Sequence, residues 1–138
     1  MIRYKDGIIT DGLRSQIIGL FAKIDVIFHE HGAHMTITCG LDGHPEDDPH
    51  SHGFAVDLRT HDLAIGDRSN VRDEIAQMAG PDYTVLLEYP GGANEHIHVQ
   101  YRKDLWHGIV AEESTDAHKL AEARPPNDSP INDGGKIV

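Results

Sequence analysis

Apolar residues recur at helical spacing from Leu13 through Ile17, Leu20, Ile24 and Ile27 to Phe28. This predicts one amphipathic helix over 12–31, with Asp11 as its N-cap and Gly32 closing its C-terminus. "HMTITCG" (34–40) alternates and is rich in β-branched residues, so it predicts a strand. "LDGHPEDDPHSH" (41–52) is turn chemistry and charge, hence a loop. "GFAVDLRT" (53–60) predicts a second strand, with Phe54, Val56 and Leu58 on one face and Gly53, Ala55 and Asp57 on the other. Residues 67–79 carry a helical stripe of Val71, Ile75, Met78 and Ala79 that stops at Gly80-Pro81. Two more strands, 83–89 and 95–101, flank the turn "PGGAN". In the last strand a regular alternation sets Glu95, Ile97, Val99 and Tyr101 against His96, His98 and Gln100. The order of elements predicts an α+β domain, a small antiparallel sheet with flanking helices, over 1–110. From 111 to 138 the chain turns polar and Pro-rich, as expected of a flexible tail.

The length of 138 residues suits one core of ordinary size. A net charge of -11 argues against a nucleic-acid partner, which needs a basic face, and against electrostatic docking on an anionic membrane. No run approaches the roughly 18 apolar residues of a membrane span. The N-terminal "MIRYKDGIITDG" lacks the apolar run of a signal peptide, so synthesis in the cytoplasm is expected, with release by lysis or carriage in a virion if the protein acts on a cell wall. Cys39 is the only cysteine, which excludes an intrachain disulfide and reads as a small core residue.

Histidine changes the picture. Of 11 in the chain, seven lie between 29 and 61, and His96 and His98 form a further pair. His29, His31 and His34 sit at a predicted helix end, where they suit the dipole. His50 and Asp57 are seven apart across a loop-to-strand transition, a separation that can return the chain to one metal ion. Gly53 lets the backbone pass close, and Ala55 keeps the Asp57 face clear. His98 is the natural third ligand. Glu95, three residues earlier, is near enough to take a proton from an activated water, and His96 to orient a substrate. His44 and His52 offer additional imidazoles, whose ordinary fate in a loop is solvation. Trp106 follows the last strand and is expected to pack on the body.

His50-x-x-Gly53-x-Ala55-x-Asp57 followed by Glu95-x-x-His98 resembles the zinc peptidases typified by D-alanyl-D-alanine dipeptidases and carboxypeptidases, whose fold the Hedgehog signalling domain shares. The resemblance spans roughly residues 8 to 102, and small phage cell-wall hydrolases are the most similar in size. It implies zinc held by His50, Asp57 and His98, Glu95 as general base, and cleavage of peptide bonds in peptidoglycan stem peptides. Two positions depart from the pattern. Asp48 stands where the family has a serine, and "TCGLDG" lacks the arginine that pairs with a substrate carboxylate, leaving Arg59 as its substitute. The same departures suit a rival reading, a non-catalytic zinc-binding structural or regulatory phage protein.

Overall fold

The computed structural model describes the backbone of residues 1–122 and the side chains of residues 1–115. It is a mixed α+β structure. Five strands, β1 (Arg3–Tyr4), β2 (Thr36–Cys39), β3 (Ala55–Arg59), β4 (Tyr83–Glu88) and β5 (His96–Tyr101), form one sheet in the order β1-β2-β3-β5-β4. The helices are α1 (Ser15–Ile18), α2 (Phe21–Glu30), α3 (Arg68–Ala79) and α4 (Lys103–Glu122).

β2, β3, β5 and β4 pair antiparallel, as the alternation predicts. The two-residue β1 joins β2 in parallel, so the sheet is mixed rather than antiparallel. Its outward pattern gave no strand signal, since both residues are exposed. On one face of the sheet Ile37, Val56, Leu58, Ile97 and Val99 pack with Ile24 and Phe28 of α2 and Val71 and Ile75 of α3. The alternation of β3 and β5 turns Asp57, Arg59, His96 and His98 to the other face. Phe54 leaves the expected β3 face and stacks on Tyr101 and Trp106 under the Arg14 guanidinium.

The predicted helix over 12–31 is two helices. Gly19 and Leu20 form a tight turn, with the Leu20 amide bonded to the Ile17 carbonyl at 3.0 Å, and the apolar face carries across it. Asp11 is not the N-cap. That position belongs to Arg14, whose backbone amide is bonded to Gly53. Gly32 does close α2, at φ 77°. The Gly32 amide meets the His29 carbonyl and the Ala33 amide the Phe28 carbonyl, a Schellman closure.

Two compact units divide the chain, Met1–Trp106 and His107–Val138. In the second, α4 runs on to Glu122, past the change in composition at 111. Ala, Glu, Lys and Leu in "AEESTDAHKLAE" are good helix formers, which a reading by polarity alone overlooked. Residues 123–138 of the predicted tail lie outside the described residues. Among the described residues no helix is long and apolar enough to cross a membrane.

The loop 41–52 is fastened at both ends by the segment 9–14. Leu41 N bonds Ile9 O at 2.8 Å and Ile9 N bonds Asp42 Oδ1 at 3.1 Å. At the other end Arg14 N bonds Gly53 O and Arg14 Nε bonds His52 O, both at 2.9 Å. Gly53 sits at φ 81°, and a Cβ there would overlap the Gly12 carbonyl oxygen, so only glycine fits.

Candidate metal centre

The end of that loop folds into a 3-10 turn, Pro49–His52, with proline in its first turn and Asp48 as its cap. Asp48 Oδ1 accepts from the His50 backbone amide at 2.9 Å and from His50 Nδ1 at 2.8 Å. The serine expected at this position would satisfy the amide. Asp48 satisfies the amide and the ring together, and so sets which imidazole nitrogen points inward.

His50, Asp57 and His98 come together as their spacing predicts. Asp57 and His98 are directly paired across β3 and β5. His50 Nε2 lies 3.1 Å from Asp57 Oδ1, and His98 Nδ1 lies 2.9 Å from the same oxygen. All three residues are buried. Donors on a tetrahedral ion at about 2.1 Å stand about 3.4 Å apart, so these separations need little adjustment to hold one divalent metal ion.

The outer nitrogens test the fit. His98 Nε2 meets Gln100 Oε1 at 2.7 Å, as His50 Nδ1 meets Asp48. The His50 ring therefore has a carboxylate oxygen on both sides, and the His98 ring a carboxylate on one side and the Gln100 amide on the other. A neutral imidazole has one N–H and would set its lone pair against the other oxygen. At His50 only a second proton or a metal ion satisfies the arrangement, whereas at His98 the Gln100 amide can also turn to donate; outer-nitrogen bonds of this kind accompany histidine ligands. The donor set fits a metal ion.

The electrostatics agree. Burial pushes the Asp57 carboxyl up, but hydrogen bonds from His50 and His98 outweigh it and hold the group well below the usual carboxylate range. Burial works against charge on His50 and His98, yet their bonds to Asp57 leave both raised.

Glu95 precedes β5 instead of joining its alternation. Its buried carboxylate is tied on both oxygens: Oε1 by the Thr60 hydroxyl and by Arg68 Nη1 at 2.8 Å, Oε2 by the Gly91 amide at 2.8 Å. Burial raises this carboxyl, and the bonds from Thr60, Gly91 and Arg68 more than reverse the shift. A cleft of about 440 Å³ opens beside the centre, and Lys5, Asp57, Arg59, Tyr89, Glu95 and His96 are among its lining. Arg59 is exposed. His96 Nδ1 meets the Asn94 carbonyl at 2.7 Å and Nε2 meets Glu88 Oε1 at 2.9 Å.

The other histidines separate by environment. His52 stacks on Trp106 and bonds the Glu46 carbonyl, away from the three donors. His44 stacks on His50 at 4.1 Å and meets Cys39 Sγ at 2.8 Å. Burial, then the charges of Asp57, Asp42 and Asp48, pushes the Cys39 thiol up to about 12, unsuited to a nucleophile. His31 is the C-cap of α2 and pairs with Glu74 at 2.8 Å, an anchor between helices.

Spacing did not bring out Asp48, Gln100, Glu88, Thr60 or Arg68. Gln100 was within reach, since it shares the His98 face two residues on. Glu88 was available from hairpin register, which pairs it with His96. Arg68 comes from another helix, and no local pattern announces it. Comparison with protein-family models, curated proteins and solved structures finds no match for this chain.

Proposed function

We propose that the chain is a zinc-dependent peptidase acting on peptide bonds of peptidoglycan stem peptides. One observation carries the reading: His50 Nε2, Asp57 Oδ1 and His98 Nδ1 converge while both outer imidazole nitrogens are tethered. His50, Asp57 and His98 are the zinc ligands, leaving a fourth position open. A bound zinc ion supplies Lewis acidity toward a carbonyl and activates water at neutral pH.

Glu95 is the proton acceptor of this reading. A carboxylate offers about four lone-pair sites, and the three donors on Glu95 leave one for an incoming proton. Arg68 keeps the group ionised and Thr60 and Gly91 fix its direction. In this reading Arg59, exposed on the cleft wall, pairs with a substrate carboxylate in lieu of the missing arginine, and His96 borders the same space.

The three bonds that restrain Glu95 also favour a second reading, a zinc-binding module without turnover in which Glu95 is purely structural. Incubating the zinc-loaded protein with purified muropeptides, read by mass spectrometry, separates the two. A defined mass loss is expected from the wild type, falling roughly 100-fold or more in Glu95→Gln, the scale of a positioned base. No cleavage of any muropeptide by the zinc-loaded wild type leaves the module as the better reading.

A further inference from the structure

The polar face of the sheet carries a second row of donors beside the first. Register places Asp57 opposite His98, and in the next row Glu88 opposite His96. Asp57 then lies diagonal to His96, a neighbour within side-chain reach.

His96 is oriented as a ligand would be. Its Nδ1 faces the Asn94 carbonyl at 2.7 Å, an acceptor that takes the ring N–H. The lone pair is left on Nε2, which points at two carboxylate oxygens: Glu88 Oε1 at 2.9 Å and Asp57 Oδ1 at 3.7 Å. Asp57, Glu88 and His96 each offer a ligand atom within 4.8 Å of the others. These separations bracket the roughly 3.4 Å between donors on a tetrahedral ion. Arg59, opposite His96 on β3, is exposed and its side chain makes no hydrogen bond or ion pair among the described residues, so nothing fixes its charge over the gap.

We propose that Glu88, His96 and Asp57 form a second divalent-cation seat, with Asp57 bridging to the ion held by His50 and His98. Two carboxylates and one imidazole suit a hard-to-borderline ion such as Mn²⁺, Co²⁺ or Zn²⁺. The arrangement makes the centre dinuclear, with the bridging Asp57 and His96 on the cleft wall, and gives an anionic substrate group two cations to bridge. This rests on reading His50, Asp57 and His98 as the first centre.

The test is a Co²⁺ titration of the metal-free full chain, followed by calorimetry and by the electron paramagnetic resonance of the bound ion. The wild type is expected to take up two ions, with the signal of the first weakened by spin coupling as the second binds. Glu88→Gln should weaken the second ion by more than about 100-fold, beyond the 10- to 100-fold cost of losing only an outer partner of a histidine. His96→Gln should do the same, and circular dichroism checks that both variants fold. His98→Ala should lose the first ion and keep the second. A wild type that binds one ion, lost in His98→Ala and retained in Glu88→Gln, overturns the second seat and leaves the first intact. A wild type that binds one ion, kept in His98→Ala and lost in Glu88→Gln, overturns the first centre instead. Two ions still bound with unchanged affinity in Glu88→Gln also overturn the proposal.

Discussion

Two buried carboxylates line the cleft, and their partners differ in kind. Asp57 is held by His50 and His98, whose charge is borrowed from solvent protons. Glu95 is held by Arg68, whose charge is permanent. Both carboxyls are depressed, but only the Asp57 partners can give up their protons and offer lone pairs. The Asp57 corner can therefore exchange protons for a metal ion, while the Glu95 corner is complete without one. A strand-end carboxylate and a mid-strand carboxylate look alike in sequence; the cation beside each tells them apart.

The largest expected effect breaks the Asp57 corner. Asp57→Ala removes the shared donor, and the remaining imidazole pair is a poor tetrahedral site, so zinc content after dialysis should fall nearly to zero. Arg68→Met should leave zinc content near that of the wild type. Loss of zinc in Arg68→Met would show that the two corners are one network.

The next effect breaks the Glu95 corner. Arg68→Met leaves a buried carboxylate without its cation, a change that costs about 3–5 kcal/mol. Denaturant titration of the zinc-free protein should report it. A loss under about 1 kcal/mol would mean that Thr60 and Gly91 suffice.

A smaller effect sharpens the comparison through pH. Asp57 is depressed, so its contribution is present above its ordinary value of about 4 and lost as pH falls through the lowered value. His50 and His98 are raised, so theirs is full below about 6.5 and lost as pH rises through the raised values. Metal-free protein should be most stable between about pH 4 and 6.5, whereas zinc-loaded protein should keep its stability above that window, because the ion replaces the protons. Thermal melts with and without chelator would show the two curves diverging on the alkaline side. Parallel curves there would deny the exchange.

Much of this was legible from the chain because it is local. The β3 and β5 alternation turned Asp57 and His98 to one face, and the seven-residue interval from His50 spans one turn and half a strand. Strand β1 was hidden because two exposed residues carry no periodicity. The break at Gly19 was hidden because the apolar stripe continues through it. The role of Glu95 was only half readable. Its interval from His98 is a local fact, but its restraint by Thr60 and Arg68 depends on how α3 packs, which alternation does not encode. Asp48 read as a departure from pattern until its carboxylate was found on both the amide and the ring of His50.

The bonds from residues 9–14 to Leu41, Asp42, His52 and Gly53 carry a kinetic consequence. The segment supplies no ligand, yet it closes the loop that carries His50. On the ribosome it emerges some forty residues before the last of its partners and must wait, unpaired, for the loop to arrive. In the finished protein, amide protons at both ends of that loop belong to the same opening event as the N-terminal segment. Hydrogen exchange at Leu41 and Arg14 thus reports how often the His50 loop is released, with no probe placed at the centre itself.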